Sequence, residues 1–187
     1  SAASQWFESQ NIVVVDADIV AREVVMPGQP TLTQIQKTFG DWVLLDNGEL
    51  NRRALREHIF KEPTARKALE SITHPAIRNN IIQQLNAAQS PYVVLVSPLL
   101  FETNQHELTN RTLLIDASEE LQIQRASQRD GQNIEQIKNI IHVQMPRIEK
   151  QKRANDIVLN DGHLDHLYKQ LIPLHEKYLA LSKSSLN

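Results

Sequence analysis

Four short apolar runs, each unbroken and each followed by a polar or turn residue, limit what this chain can form. Asn11 to Val15 (NIVVV) ends at Asp16, and Tyr92 to Val96 (YVVLV) is followed by Ser97-Pro98. Thr112 to Ile115 (TLLI) ends at Asp116, and Asp156 to Leu159 (DIVL) runs into the turn Asn160-Asp161-Gly162. Runs that do not alternate apolar with polar residues are what strands look like when helices cover both faces of a sheet. Helical periodicity fills the intervals, so the sequence predicts an α/β fold with a mostly parallel sheet flanked by helices.

The interval between the first and second strands, about 75 residues, is far longer than one crossover needs. Thr31 to Phe39, Arg52 to Phe60 and Ile77 to Ala87 repeat apolar residues at helical spacing there, so residues 26–90 read as a helical substrate-binding insert. A later helical stretch, Asn133 to Ala154, is rich in Lys, Arg and Gln and reads as a solvated, mobile flap, with a lid expected over 130–154. No repeat or linker divides 1–187, which is expected to be a single domain with these two elaborations.

With a net charge of -2, the chain has no global basic field for nucleic acid, so an anionic ligand needs local Arg and Lys clusters. Cysteine is absent, which removes disulfides, thiolate metal sites and a Cys nucleophile and agrees with a cytoplasmic location. The apolar runs are too short to span a bilayer, and the start, Ser1-Ala2-Ala3-Ser4-Gln5-Trp6, has no signal-peptide pattern.

Five segments can carry chemistry. Asp16-Ala17-Asp18 follows the first strand, where ligands gather in open α/β sheets. Either acid there can hold a metal through water or take a proton from a hydroxyl. Asp18 is equally suited to capping a helix over Ile19 to Val25, and the two roles are compatible. Arg125 and Arg129 lie one turn apart, which puts two guanidinium groups on one helix face, as a polyphosphate requires. A solvated face gives the same pattern. Arg147, Lys150, Lys152 and Arg153 follow and reach phosphates if the flap closes, although each alone also reads as surface.

The third segment is His74-Pro75-Ala76-Ile77-Arg78, where Pro75 suits the first position of a helix and His74 precedes it. No pair of His residues has metal-ligand spacing. In the fourth, Pro98-Leu99-Leu100-Phe101-Glu102, the apolar residues belong to the core and Glu102 is free to meet substrate or a basic residue. The fifth, Asn160-Asp161-Gly162, is a turn signal that a base-binding loop also shows.

In order and spacing, these segments resemble dephospho-coenzyme A kinases. The matching stretches are Asp16 to Arg22, Gly48 to Arg56, His74 to Ile77, Pro98 to Glu102, Gln128 to Asp130 and Arg153 to Asp156, and the similarity runs from Ser1 to about Leu181. The resemblance implies a P-loop kinase fold with a helical domain for the coenzyme A precursor and a lid. It implies ATP and Mg2+ as cofactors, and attack of the ribose 3'-hydroxyl of dephospho-coenzyme A on the γ-phosphate of ATP to give coenzyme A and ADP. On this analogy Asp18 is the general base and Arg125 the lid-side arginine near the ATP phosphates. Arg129, Arg147 and Asn160 are expected on the ATP side, and Asp16, His74, Pro75, Arg78 and Glu102 on the precursor side.

The family opens with a strand and a G-x-x-x-x-G-K-[ST] loop. None of Gly28, Gly40, Gly48, Gly131 and Gly162 sits in that pattern. Ser1 falls where the last Ser or Thr of the loop stands, because Ala2 to Gln10 reads as the helix that follows it. The expectation is that roughly fifteen residues precede Ser1 and that its hydroxyl ligates Mg2+. Without the loop a kinase of this family is expected to be impaired and short of a core strand. Other readings of the same residues are another P-loop small-molecule or nucleoside kinase, and a non-catalytic coenzyme A or nucleotide-binding protein. A nucleic-acid module has the least support, for want of a basic helix patterned with aromatics.

Overall fold

The computed structural model describes residues 1–131 and 133–185, the side chain of Asp130 excepted. The expected lid, 130–154, therefore includes Gln132, which lies outside the described residues, as does the side chain that closes the Gln128-Arg129-Asp130 motif. In chain order the elements are α1 (Ala2–Ser9), β1 (Val13–Asp16), α2 (Ala17–Glu23), α3 (Pro30–Phe39), α4 (Arg52–Lys61), α5 (Pro63–Ala87) and β2 (Val93–Val96). There follow β3 (Leu113–Asp116), α6 (Glu119–Asp130), α7 (Ile134–Val143), α8 (Arg147–Arg153), β4 (Asp156–Leu159) and α9 (Leu164–Ser184). The chain divides into two compact units, Ser1–Val14 with Gln89–Asn187, and Val15–Ala88.

In the first of these, α1 and α9 each bury residues four apart, Ala3 with Phe7 and Leu167 with Leu171, and these meet Ile12 and Val158 in one apolar cluster. Ser1 caps α1 by accepting a hydrogen bond from the Ser4 amide at 3.3 Å. The chain then reverses through Asn11 at φ 62°, a left-handed conformation that Asn tolerates. β3 and β4 pair in parallel, in a register from Leu113 opposite Asp156 to Asp116 opposite Leu159. β1 pairs with β2.

At the start of β4, buried Asp156 accepts from Lys177 Nζ at 2.8 Å and from the Tyr178 hydroxyl at 2.8 Å, while Arg111 Nη2 lies 3.3 Å away. Desolvation pushes the Asp156 carboxyl toward the neutral form. The hydrogen bonds from Lys177 and Tyr178, with the charges of Arg111 and Lys177, outweigh it and hold the pKa below the usual carboxylate value.

The second unit is helical beyond the end of β1, with Val20, Ile35, Val43 and Ile81 fully buried. The helical segment expected at 26–90 falls in this unit up to Ala88, and the unit also takes in α2.

Several local expectations are corrected. Pro75 is not the start of a helix, and His74 does not precede one: both lie inside the unbroken α5. Proline there removes one amide donor and crowds the preceding turn. Packing overrides that cost, since Ile72 and Ile81 are buried on either side of it. The stretch 133–154 is two helices separated at Gln144–Pro146, and α7 is more apolar than a solvated flap requires, with Ile137 buried and Ile134, Ile140 and Val143 exposed. The four strands are all present, but among the described residues they form two pairs rather than one continuous sheet, each strand contributing four residues.

Candidate active site

The richest polar arrangement of the first unit lies at the carboxyl ends of β3 and β4. β3 delivers Asp116, which is 3% exposed. Its carboxylate accepts from Arg147 Nε at 2.7 Å on Oδ1 and from Arg147 Nη2 at 3.0 Å on Oδ2, a two-point fork. Gln151, one turn further along α8, adds its Nε2 to Oδ2 at 2.8 Å. The Arg147 hydrogen bond is the main reason that the Asp116 carboxyl is held below the usual carboxylate pKa, against the opposing effect of burial.

Parallel pairing continues one residue past the strands, and the Asn160 amide donates to the Asp116 carbonyl at 2.8 Å. The Asn160 carbonyl in turn accepts from Arg125 Nη1 at 2.6 Å. Three of the residues expected on the ATP side, Arg125, Arg147 and Asn160, are thus joined through Asp116. Arg129 is exposed one turn further along α6, which Ser118 caps at its start and Gly131, at φ 60°, closes at its end.

Glu102, in the turn after β2, is a different case. Both carboxylate oxygens are buried and have no hydrogen-bond partner, as do Gln105 Oε1 and His106 Nδ1. Glu102 borders a cavity of about 80 Å³, with Phe101, Thr112, Leu114, Lys150 and Ala154 also in its wall. Lys150 donates instead to Gln144 Oε1 at 3.1 Å, and Arg153 lies over the Phe101 ring at 6.0 Å from its centroid.

In the second unit Asp16, not Asp18, caps α2. Its Oδ1 accepts from the amides of Asp18 at 2.9 Å and Ile19 at 3.4 Å. The helix starts two residues earlier than expected, so Asp18 falls in its first turn and its carboxylate has no part in the cap. Desolvation first, and the negative charge of Asp16 second, raise the Asp18 pKa above the usual carboxylate value, with Arg22 opposing them. His74 and Pro75 are exposed on α5, and half-buried Arg78 shares the face of His74 one turn on.

Sequence reading missed Asp116 and Gln151. The signal for Asp116 was the one that selected Asp16, an acid closing an apolar run. Gln151 gave none, because its role depends on where α8 docks.

Among the described residues no group of three or more His, Cys, Asp or Glu side chains is placed to hold a metal ion. Mg2+ bound mainly by phosphates and water needs only one or two protein oxygens. The Ser1 hydroxyl, exposed at the start of α1, fits that requirement.

Comparison with known proteins agrees over nearly the whole chain. The dephospho-CoA kinase family matches residues 1–166. A dephospho-CoA kinase of Acinetobacter baylyi is 75% identical over 179 residues, 96% of this chain and 92% of that protein. One of Psychrobacter cryohalolentis is 49% identical over 186 residues, covering 98% and 81%. Among solved structures, TT1252 from Thermus thermophilus superposes with a TM-score of 0.81 at 30% identity, covering 94% of this chain and 89% of that one. A dephospho-CoA kinase from Campylobacter jejuni gives 0.69 at 25% identity, covering 98% and 92%.

Proposed function

The chain belongs to the dephospho-CoA kinase family, and from that premise we propose how its residues share the work of phosphorylating dephospho-coenzyme A. The ribose 3'-oxygen attacks the γ-phosphorus of ATP, a new O–P bond forms, and the bond to the β–γ bridging oxygen breaks. That electron pair leaves with ADP, and the hydroxyl proton passes to the Asp18 carboxylate. The match over residues 1–166 carries this reading.

Asp18 suits a base because its carboxylate has no part in the cap and its raised proton affinity favours taking a proton. Arg125, held at Asn160, and Arg129 beyond it offer guanidinium hydrogens to the phosphates, where charge builds in the transition state. Arg147, whose Nε edge is taken by Asp116, keeps its Nη1 group for the same purpose. Mg2+, when bound, neutralises charge on the β- and γ-phosphate oxygens, and Ser1 is the position to hold it.

Asp16 holds the first turn of α2, and with it Asp18. Residues 26–90, with His74, Pro75 and Arg78, are assigned to the precursor, and 130–154 to a lid over ATP. Glu102 is assigned to a donor group of the precursor, since its oxygens are unpartnered. No helix among the described residues is long and apolar enough to cross a membrane. A cytoplasmic place of action belongs to the same proposal. The test is ATP-dependent conversion of dephospho-coenzyme A to coenzyme A by the native protein, with AMP, uridine and shikimate as competing acceptors. Preference for any of those three would replace this reading.

A further inference from the structure

We infer that Asp116 is a positioning residue for the phosphate-facing arginines: its carboxylate orients Arg147, and its carbonyl, through Asn160, orients Arg125. The inference rests on the reading that these arginines face the ATP phosphates, and extends it to a residue that touches no phosphate itself.

An acidic residue beside a phosphate site is at first sight out of place, because its charge repels the ligand. Asp116 does not act as a free charge. It is 3% exposed, and its carboxylate is fully engaged by Arg147 and Gln151. The side chain of Arg147 is 42% exposed, so the guanidinium is anchored on one edge and open on the other. An arginine has five N–H donors in a rigid fork. Asp116 takes the Nε–H and one Nη2–H, which leaves the Nη1 pair and the second Nη2–H for an anion. A free arginine on α8 would lose side-chain freedom on binding phosphate, whereas one already clamped gives up much less.

The second arm uses backbone alone. The Asp116 carbonyl fixes the Asn160 amide at 2.8 Å, and the Asn160 carbonyl fixes Arg125 Nη1 at 2.6 Å. Arginines from α6 and α8 are therefore both referred to the last residue of β3, the most buried point of the network. A strand end is a rigid base for such a purpose, and rigid support is what holds a catalytic donor in register.

Asp116→Asn, Arg147→Gln and the double variant test this. Each is measured by steady-state kinetics with both substrates varied and by titration with a non-hydrolysable ATP analogue. A substituted amide keeps the shape of Asp116 and loses the ionic fork. The expected result for Asp116→Asn is a fall in kcat/KM for ATP on the order of 10²-fold, the scale of misplacing a catalytic group by about 1 Å. KM for dephospho-coenzyme A stays at the wild-type value. The double variant falls no further than Arg147→Gln alone, because Asp116 acts through Arg147.

Two results overturn the inference: an Asp116→Asn protein that loses thermal stability but keeps kcat/KM for ATP, or a double variant whose loss is the product of the two single losses. If Asp116→Asn does not fold, Gln151→Ala removes one donor from the same carboxylate and is read in the same cycle with Arg147→Gln. The analogue titration needs no acceptor. A protein that fails to phosphorylate dephospho-coenzyme A but binds the analogue more weakly after Asp116→Asn would contradict the proposed function and leave this inference standing.

Discussion

Arg125 Nη1 and the Asn160 carbonyl, 35 residues apart in the chain, meet at 2.6 Å. Neither residue predicts the other from sequence, since one sits in a helical Arg pair and the other in a turn. Parallel pairing of β3 with β4 joins them, by carrying the residue after β4 to the start of α6.

Replacing Arg125 by Ala should lower kcat by about 10² to 10³, the cost of losing one charge-stabilising donor. The ATP analogue should still bind. Single-turnover kinetics beside an analogue titration separates the two effects, and unchanged turnover would return the pair Arg125 and Arg129 to a solvated face.

Asp18→Asn should lower turnover strongly and leave ATP binding intact. The pH profile is a second check. The Asp18 pKa is raised, so the base is lost to protonation at a higher pH than an ordinary carboxylate, and the acid limb of kcat/KM shifts up accordingly. Asp16→Asn keeps a cap acceptor but removes the negative charge, which should move that limb to lower pH. Arg22→Gln removes the opposing charge and should move it to higher pH. Profiles of the three proteins would expose a wrong assignment if the limbs coincide.

Glu102→Gln should stabilise the protein and weaken the precursor. A buried carboxylate without partners costs more to desolvate than an amide of the same shape. A gain of about 1 kcal/mol corresponds to a rise in Tm of about 2–4 °C for a chain of this size. KM for dephospho-coenzyme A should rise at the same time. A fall in Tm would mean that the carboxylate has a partner in solution.

Asp156 ties the start of β4 to α9 and should govern acid stability. Its folded pKa lies below the unfolded value, so its stabilising contribution is complete above the unfolded pKa and is lost as pH falls through the folded one. Asp156→Asn should cost about 2 kcal/mol at neutral pH, less than a fully buried pair because Arg111 and Lys177 remain a third or more exposed. The gap in Tm between the two proteins should begin to narrow near the reference carboxylate value, about pH 4, and close only at more acid pH, below the lowered folded pKa. A gap that persists there would mean that shape, not charge, carries the effect.

The strands were legible as apolar runs, and β4 was read to the residue, but among the described residues the cover expected on both faces is not there: β4 buries Asp156 and Val158 and leaves Ile157 and Leu159 exposed. α5 was misread at Pro75 because proline's local cost is visible in sequence and the packing that outweighs it is not. The cap of α2 was placed two residues late for a related reason: Asp16 and Asp18 are both good caps, and only the path of the strand into the helix chooses between them. Arg125 was singled out by its helical pairing, Arg147 by its charge and Asn160 by its turn, and the structure brings the three together. Their common support, Asp116, was not singled out, because a clamp across 31 residues leaves no local pattern.

The most direct test of the central claim is the conversion of dephospho-coenzyme A by the native protein with ATP, followed by separating the nucleotides formed. The account predicts coenzyme A and ADP in equal amounts, with the new phosphate on the ribose 3'-oxygen. ATP bound without turnover by a folded protein, or phosphate delivered to a different acceptor in preference, would contradict it.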